Sequence, residues 1–78
     1  MNKQRRAELQ KAIDLIEQAK DIIECCKDDE QEALDNLPDN LQSSERAEQM
    51  EDYVYAMESV VDDLDNTIDN LTDDVIEA

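Results

Sequence analysis

From Ala47 onward, apolar residues recur alternately three and four positions apart: Ala47, Met50, Val54, Met57, Val61, Leu64, Ile68, Leu71, Val75 and Ala78. Spacing of this kind, sustained over more than four heptads, predicts an amphipathic helix with a coiled-coil seam. Ala47, Val54, Val61, Ile68 and Val75 take position a; Met50, Met57, Leu64, Leu71 and Ala78 take d. The first half repeats the pattern less cleanly. Leu9, Ala12, Ile16, Ala19, Ile23, Cys26, Glu30, Ala33 and Leu37 follow the same alternation, with Glu30 the one charged member. Ile13, Leu15 and Ile22 widen this stripe to three positions per heptad, a width that suits a helix in a bundle.

The two patterns are separated by Asp35-Asn36-Leu37-Pro38-Asp39-Asn40-Leu41-Gln42-Ser43-Ser44. Pro38 has no backbone donor and disfavours helix at Leu37, so the first helix should end near Asp35 or Asn36. Ser43 or Ser44 can cap the second helix, whose first turns carry Glu45 and Glu48 at the positive end of the dipole. Leu37 and Leu41 can fold back over the tip. The sequence therefore predicts an all-α protein, a single domain spanning 1–78. It is an antiparallel, coiled-coil-like two-helix hairpin with helix at about 3–36, loop at 37–43 and helix at 44–77.

Pairing a with d across such a hairpin sets Leu37 against Met50, Cys26 against Val61, Ile16 against Leu71 and Ala12 against Val75. That register brings Lys27 near Glu58 and Lys20 near Asp65. It also lays the basic start (Lys3, Arg5, Arg6, Lys11) beside the acidic end (Asp69, Asp73, Asp74, Glu77). Exposed pairs contribute only ~0–1 kcal/mol each, so they select the register more than they stabilise it.

Composition narrows the picture. The chain has no Gly, His, Trp or Phe and a single Pro, which argues against folds built on tight turns. Its formal net charge is −16. Periodicity opposes the disorder that such acidity suggests. Direct binding to nucleic acid or to an anionic membrane surface is excluded by charge. No apolar run is long enough for a membrane span, and no apolar signal core follows the basic start. Cys25 and Cys26 are adjacent and diverge by ~100° on a helix, so reduced thiols in the cytosol are expected. With no His and no Gly-rich phosphate loop, no catalytic group, metal or cofactor is assigned, and the chain is expected not to be an enzyme. The oxygen-rich Asp62-Asp63-Leu64-Asp65-Asn66-Thr67 lacks the glycine of a calcium loop, since Ile68 falls there.

Charge is unevenly placed. From Ala47 to Ala78 there are eleven Asp or Glu and no Lys or Arg. Glu58, Asp62, Asp65, Asp69 and Asp73 run three or four apart along one side of the second helix. Four residues of helix rise about 6 Å, near the ~7 Å between neighbouring phosphates of a DNA strand. Two readings stay open: a solvated face that keeps the chain soluble, or a partner-binding face that imitates a polyanion. Tyr53 flanks the seam, whereas Tyr55 looks outward and can anchor a partner. Leu15 and Ile22 on one helix, and Tyr53 and Val60 on the other, share one side that two helices alone cannot cover. Self-association through this strip, completing a four-helix bundle by dimerisation, is the expected solution.

The segment from Asp29 to Met50, DEQEALDNLPDNLQSSERAEQM, resembles the central loop of a family of small acidic helical proteins of bacterial phages and prophages. The likeness implies a phage protein acting in the cytoplasm of a bacterial host cell, and no particular reaction. Small acidic phage proteins often inhibit host defence enzymes. The expected function is therefore a non-enzymatic acidic binding protein that occupies a basic groove of a nucleic-acid-handling or defence protein. The alternative is a scaffolding homo-oligomer whose charge only solubilises it.

Overall fold

The structure is a computed structural model describing residues 1–77. Ala78, assigned to position d above, lies outside the described residues. Two helices, α1 (Lys3–Asp35) and α2 (Glu45–Leu71), pack antiparallel into a rod with principal extents of 60 × 16 × 12 Å. Among the described residues there is no strand.

Helix ends follow from local chemistry. The Asn2 side chain accepts a hydrogen bond from the Arg5 N–H at 2.8 Å, capping α1. Pro38 stops α1, whose last residue is Asp35. Asp39–Leu41 form one 3₁₀ turn. Ser44 then caps α2, its Oγ accepting from the Ala47 N–H at 3.2 Å. Gln42 secures the connection in a way the sequence does not advertise. Its Nε2 donates to the carbonyls of Leu34 (3.2 Å), which also accepts from the Leu37 N–H at 3.2 Å, and of Leu37 (2.8 Å), just past the end of α1.

Packing is densest at this tip. Leu34, Ala47 and Met50 form a buried cluster with Leu37 against it, as the Leu37–Met50 register requires. Leu41 is exposed and does not close the tip as a lid. Among the described residues, Ile13 and Val61 are the remaining buried apolar ones. Along α2 and the turn that follows it, the a and d positions from Ala47 to Val75 are all buried or half-buried, as the heptad pattern predicts.

On α1 the seam differs from the expected one. Leu9, Ile16, Ile23, Glu30 and Leu37 do face α2, but their companions are Ile13, Lys20, Lys27 and Leu34, one position further along. Ala19, Cys26 and Ala33 are exposed, and Ala12 is half-buried. The helix has turned so that Ile13 and Leu34 are buried in preference to Ala12 and Ala33, because the larger side chains remove more apolar surface from water. Lys20 and Lys27 are carried into the seam with them, laying their aliphatic stems along it.

The far end of α2 departs from the regular helix expected to 77. Thr72–Ile76 form one π turn, closed by an i→i+5 bond from the Glu77 N–H to the Thr72 carbonyl at 2.9 Å. The wider turn brings Thr72, Val75 and Ile76 all to half-burial against the start of α1.

Candidate interaction faces

The turned seam gives the hairpin two unlike flanks. Lys20 marks the first: its Nζ donates to Asp65 Oδ1 at 2.8 Å, linking α1 to α2. This bond holds the Lys20 ammonium above its ordinary pKa of 10.5, opposed by partial burial and aided by Asp65, Glu24 and Asp21 nearby. Asp21 and Glu24 of α1 thus lie on the same flank as the carboxylate line of α2. Along that line Glu58, Asp62, Asp65, Asp69 and Asp73 are all exposed. Asp65 holds Lys20, while no ion pair engages the other four among the described residues. Tyr55, 76% exposed, joins Glu58, Ser59 and Asp62 around a shallow depression, so an aromatic ring sits within the acidic flank.

Other expected pairs do not form. Lys27 lies 3.7 Å from its neighbour Asp28 rather than against Glu58, since its stem is held in the seam. Of the basic start, Lys11 pairs with Glu8 one turn away at 3.2 Å. Lys3, Arg5 and Arg6 make no ion pair with the acidic end among the described residues.

The Lys20–Asp65 bond makes stability depend on pH in one window. A lysine whose pKa is raised on folding stabilises fully below its unfolded value and loses that contribution as pH rises through the folded one. The melting temperature is therefore expected to fall above pH 10.5 more steeply in the native chain than in Lys20→Met. Parallel thermal scans of the two from pH 9 to 12 check this; coincident slopes would remove the bond from the account.

The opposite flank is apolar. Ile22, Ile23 and Cys26 of α1 and Ala56, Met57 and Val60 of α2 line an open groove of about 380 Å³ without polar side chains. Toward the tip lies a separate, more polar depression lined by Glu30, Ala33, Arg46, Gln49, Met50 and Tyr53. Toward the other end lies Leu15, 64% exposed, beside the likewise exposed Ile22. The structure thus leaves Leu15, Ile22, Tyr53 and Val60 all in solvent, as expected for residues that two helices cannot cover. Cys26 borders this groove instead of filling the seam, whereas Cys25, also exposed, lies one position around the helix.

Asp62-Asp63-Leu64-Asp65-Asn66-Thr67 is continuous helix. Among the described residues no three acidic or cysteine side chains converge as a metal site. No described helix is long and apolar enough to cross a membrane. Comparison with protein-family models, with curated proteins and with solved structures finds no match to this chain.

Proposed function

We propose that this hairpin is a non-enzymatic acidic binding protein of phage or prophage type, whose carboxylate flank occupies a basic groove of a nucleic-acid-handling or host defence protein. The observation that carries the reading is the segregation of charge. Glu58, Asp62 and Asp69 along α2, and Asp73 in the turn after it, make no ion pair among the described residues; Asp21 and Glu24 of α1 lie near Lys20 on the same flank, with Tyr55 beside Glu58 and Asp62. A row of like charges on a rigid helix needs no backbone ordering on binding, and its attraction to complementary cations steers the encounter and offsets the cost of removing water from both. An aromatic side chain within it supplies the apolar anchor that charge alone lacks.

The test is capture of host proteins on the immobilised hairpin at low and high salt. A basic nucleic-acid-handling protein is expected to bind at low salt, leave at high salt and be displaced by duplex DNA. A variant combining Glu58→Gln with Asn at 62, 69 and 73 leaves the Lys20–Asp65 bond intact and should lose that capture. Retention of the same protein by the folded variant would discard the mimicry.

The apolar flank favours a second reading, a self-assembling structural protein in which two hairpins complete a four-helix bundle. Its support is the exposed strip of Leu15, Ile22, Tyr53 and Val60. The two readings use opposite flanks and are compatible.

A further inference from the structure

We propose that the two flanks act together: a dimer closed over the apolar flanks carries a carboxylate face on each of two opposite sides, and so holds two molecules of the basic partner at once. This rests on the two readings above and joins them in one particle. Three observations lead to it.

The first is where chains this acidic can touch. Only Ile13, Leu34, Ala47, Met50 and Val61 are buried among the described residues, and a chain this small commonly needs a further partner to bury enough apolar surface. At −16 per chain, two copies repel wherever carboxylates meet. The groove lined by Ile22, Cys26, Ala56 and Val60 is free of them. Leu15 and Tyr53, also exposed, stand one heptad from Ile22 and Val60 on the same side of their helices. A full face of this rod, 60 Å long and 16 Å wide, offers on the order of 900 Å² per copy, comparable with the ~800 Å² per partner of stable complexes. A second copy therefore fits this face.

The second is what such a dimer leaves outside. The opposite face carries two acidic rows, one on each helix. Asp21 and Glu24 lie near Lys20, and Asp14, Glu17 and Asp28 stand one heptad from one or other of them, hence on the same side of α1. All but the half-buried Glu24 are exposed. With Glu58, Asp62, Asp65 and Asp69 of α2 they border the seam from both helices, and only Lys20 and Lys27 lie between the rows.

The third is symmetry. A two-fold axis along the rod lays α1 of one copy on α2 of the other, antiparallel. An axis across the rod, parallel to the face, lays each helix on its own counterpart, again antiparallel. Both bury the apolar faces and turn the acidic faces outward in opposite directions. Two stacked helix diameters separate those faces by roughly 20–24 Å, against a screening length of ~8 Å at physiological ionic strength. Outward charge therefore opposes the pairing only weakly. One rigid basic groove cannot reach both faces, so each face takes its own partner molecule.

The chain holds its own reporters. Cys26 borders the apolar groove, whereas Cys25, ~100° further around α1, does not. Pairing should slow alkylation of Cys26 by N-ethylmaleimide in proportion to the paired fraction, roughly tenfold when nine chains in ten are dimeric. Cys25 should react at an unchanged rate, and mass spectrometry of the labelled peptide separates the two sites. In Ile22→Gln/Val60→Gln, which changes only exposed positions, the ratio of the two rates should not vary with concentration. A decalysine peptide then stands in for the basic partner in sedimentation at moderate salt. The native dimer, twice 9.0 kDa, should stay paired and take up as many peptides per chain as the monomeric variant. Uptake halved per chain, or a dimer that the peptide splits, overturns the two-sided particle. A dimer whose Cys26 reacts as fast as in the monomer closes over another face, and overturns it as well. A chain that remains at 9.0 kDa at high concentration removes the self-assembly reading. Peptide uptake unaffected by Glu58→Gln with Asn at 62, 69 and 73 removes the acidic-flank reading, and the proposal falls with either.

Discussion

Leu34→Ala is expected to lower the unfolding free energy by about 2–4 kcal/mol, the usual range for truncating a buried leucine. The effect should be at the upper part of that range relative to the protein's size, because so little else is buried. Leu34 packs with Ala47 and Met50, with Leu37 against the cluster, and its own carbonyl accepts from Gln42. Truncation opens a cavity at the one place where helix, loop and helix are joined. The neighbouring Ala33→Ser is a direct contrast. Ala33 is exposed, so that change should cost only a few tenths of a kcal/mol. Urea unfolding followed by circular dichroism measures both. Equal losses at 33 and 34 would return α1 to the seam that its alanines suggest.

Replacing Lys27 and Glu30 together by leucine should raise stability by about 2–3 kcal/mol, from the transfer of two large apolar side chains into a half-buried seam. Both residues face α2 and are only partly exposed, and neither holds a link between the helices as Lys20 does. Polar residues in a heptad seam lower stability and restrict which partners and registers fit. The leucine variant should therefore gain stability and lose discrimination, forming species larger than the native chain does. Urea midpoints and light scattering on the same samples report the two effects. An unchanged midpoint would mean that these side chains lie outside the seam.

The sequence disclosed the hairpin because its punctuation is local. Pro38 ends α1, Ser44 starts α2, and the uninterrupted a and d residues of α2 leave one way to face a partner. The rotation of α1 was harder to read. At each level two neighbours compete: Ala12 with Ile13, Ala19 with Lys20, Cys26 with Lys27, Ala33 with Leu34. Counting apolar residues favours the first of each pair. A helix turns as a unit, however, and the larger hydrophobes near its two ends decide for the lysines between them. Of the charged links, Lys20–Asp65 was legible from register alone. The Lys27–Glu58 pair was not, because Lys27's reach depends on that rotation. The Gln42 bonds to two carbonyls and the π turn at Thr72–Ile76 arise from how the chain closes in three dimensions, and no spacing signals them. The carboxylate line and the apolar strip were both visible; what the fold adds is that they occupy opposite flanks.

The pinned tip also orders events in time. Closing the short connection between Leu34 and Ala47 loses little chain entropy, whereas joining Leu9 to the end of α2 before the tip has formed would close a loop of most of the chain. Assembly therefore starts at Leu34, Leu37, Ala47 and Met50 and proceeds as a zipper, each helical turn adding contacts only to the one before it. Unzipping runs the other way, starting from the end farthest from the connection, where no covalent link joins the two helices. A rod built like this is firm at its hinge and loosest where its two termini meet, so a tether attached at either terminus pulls on the part that yields first.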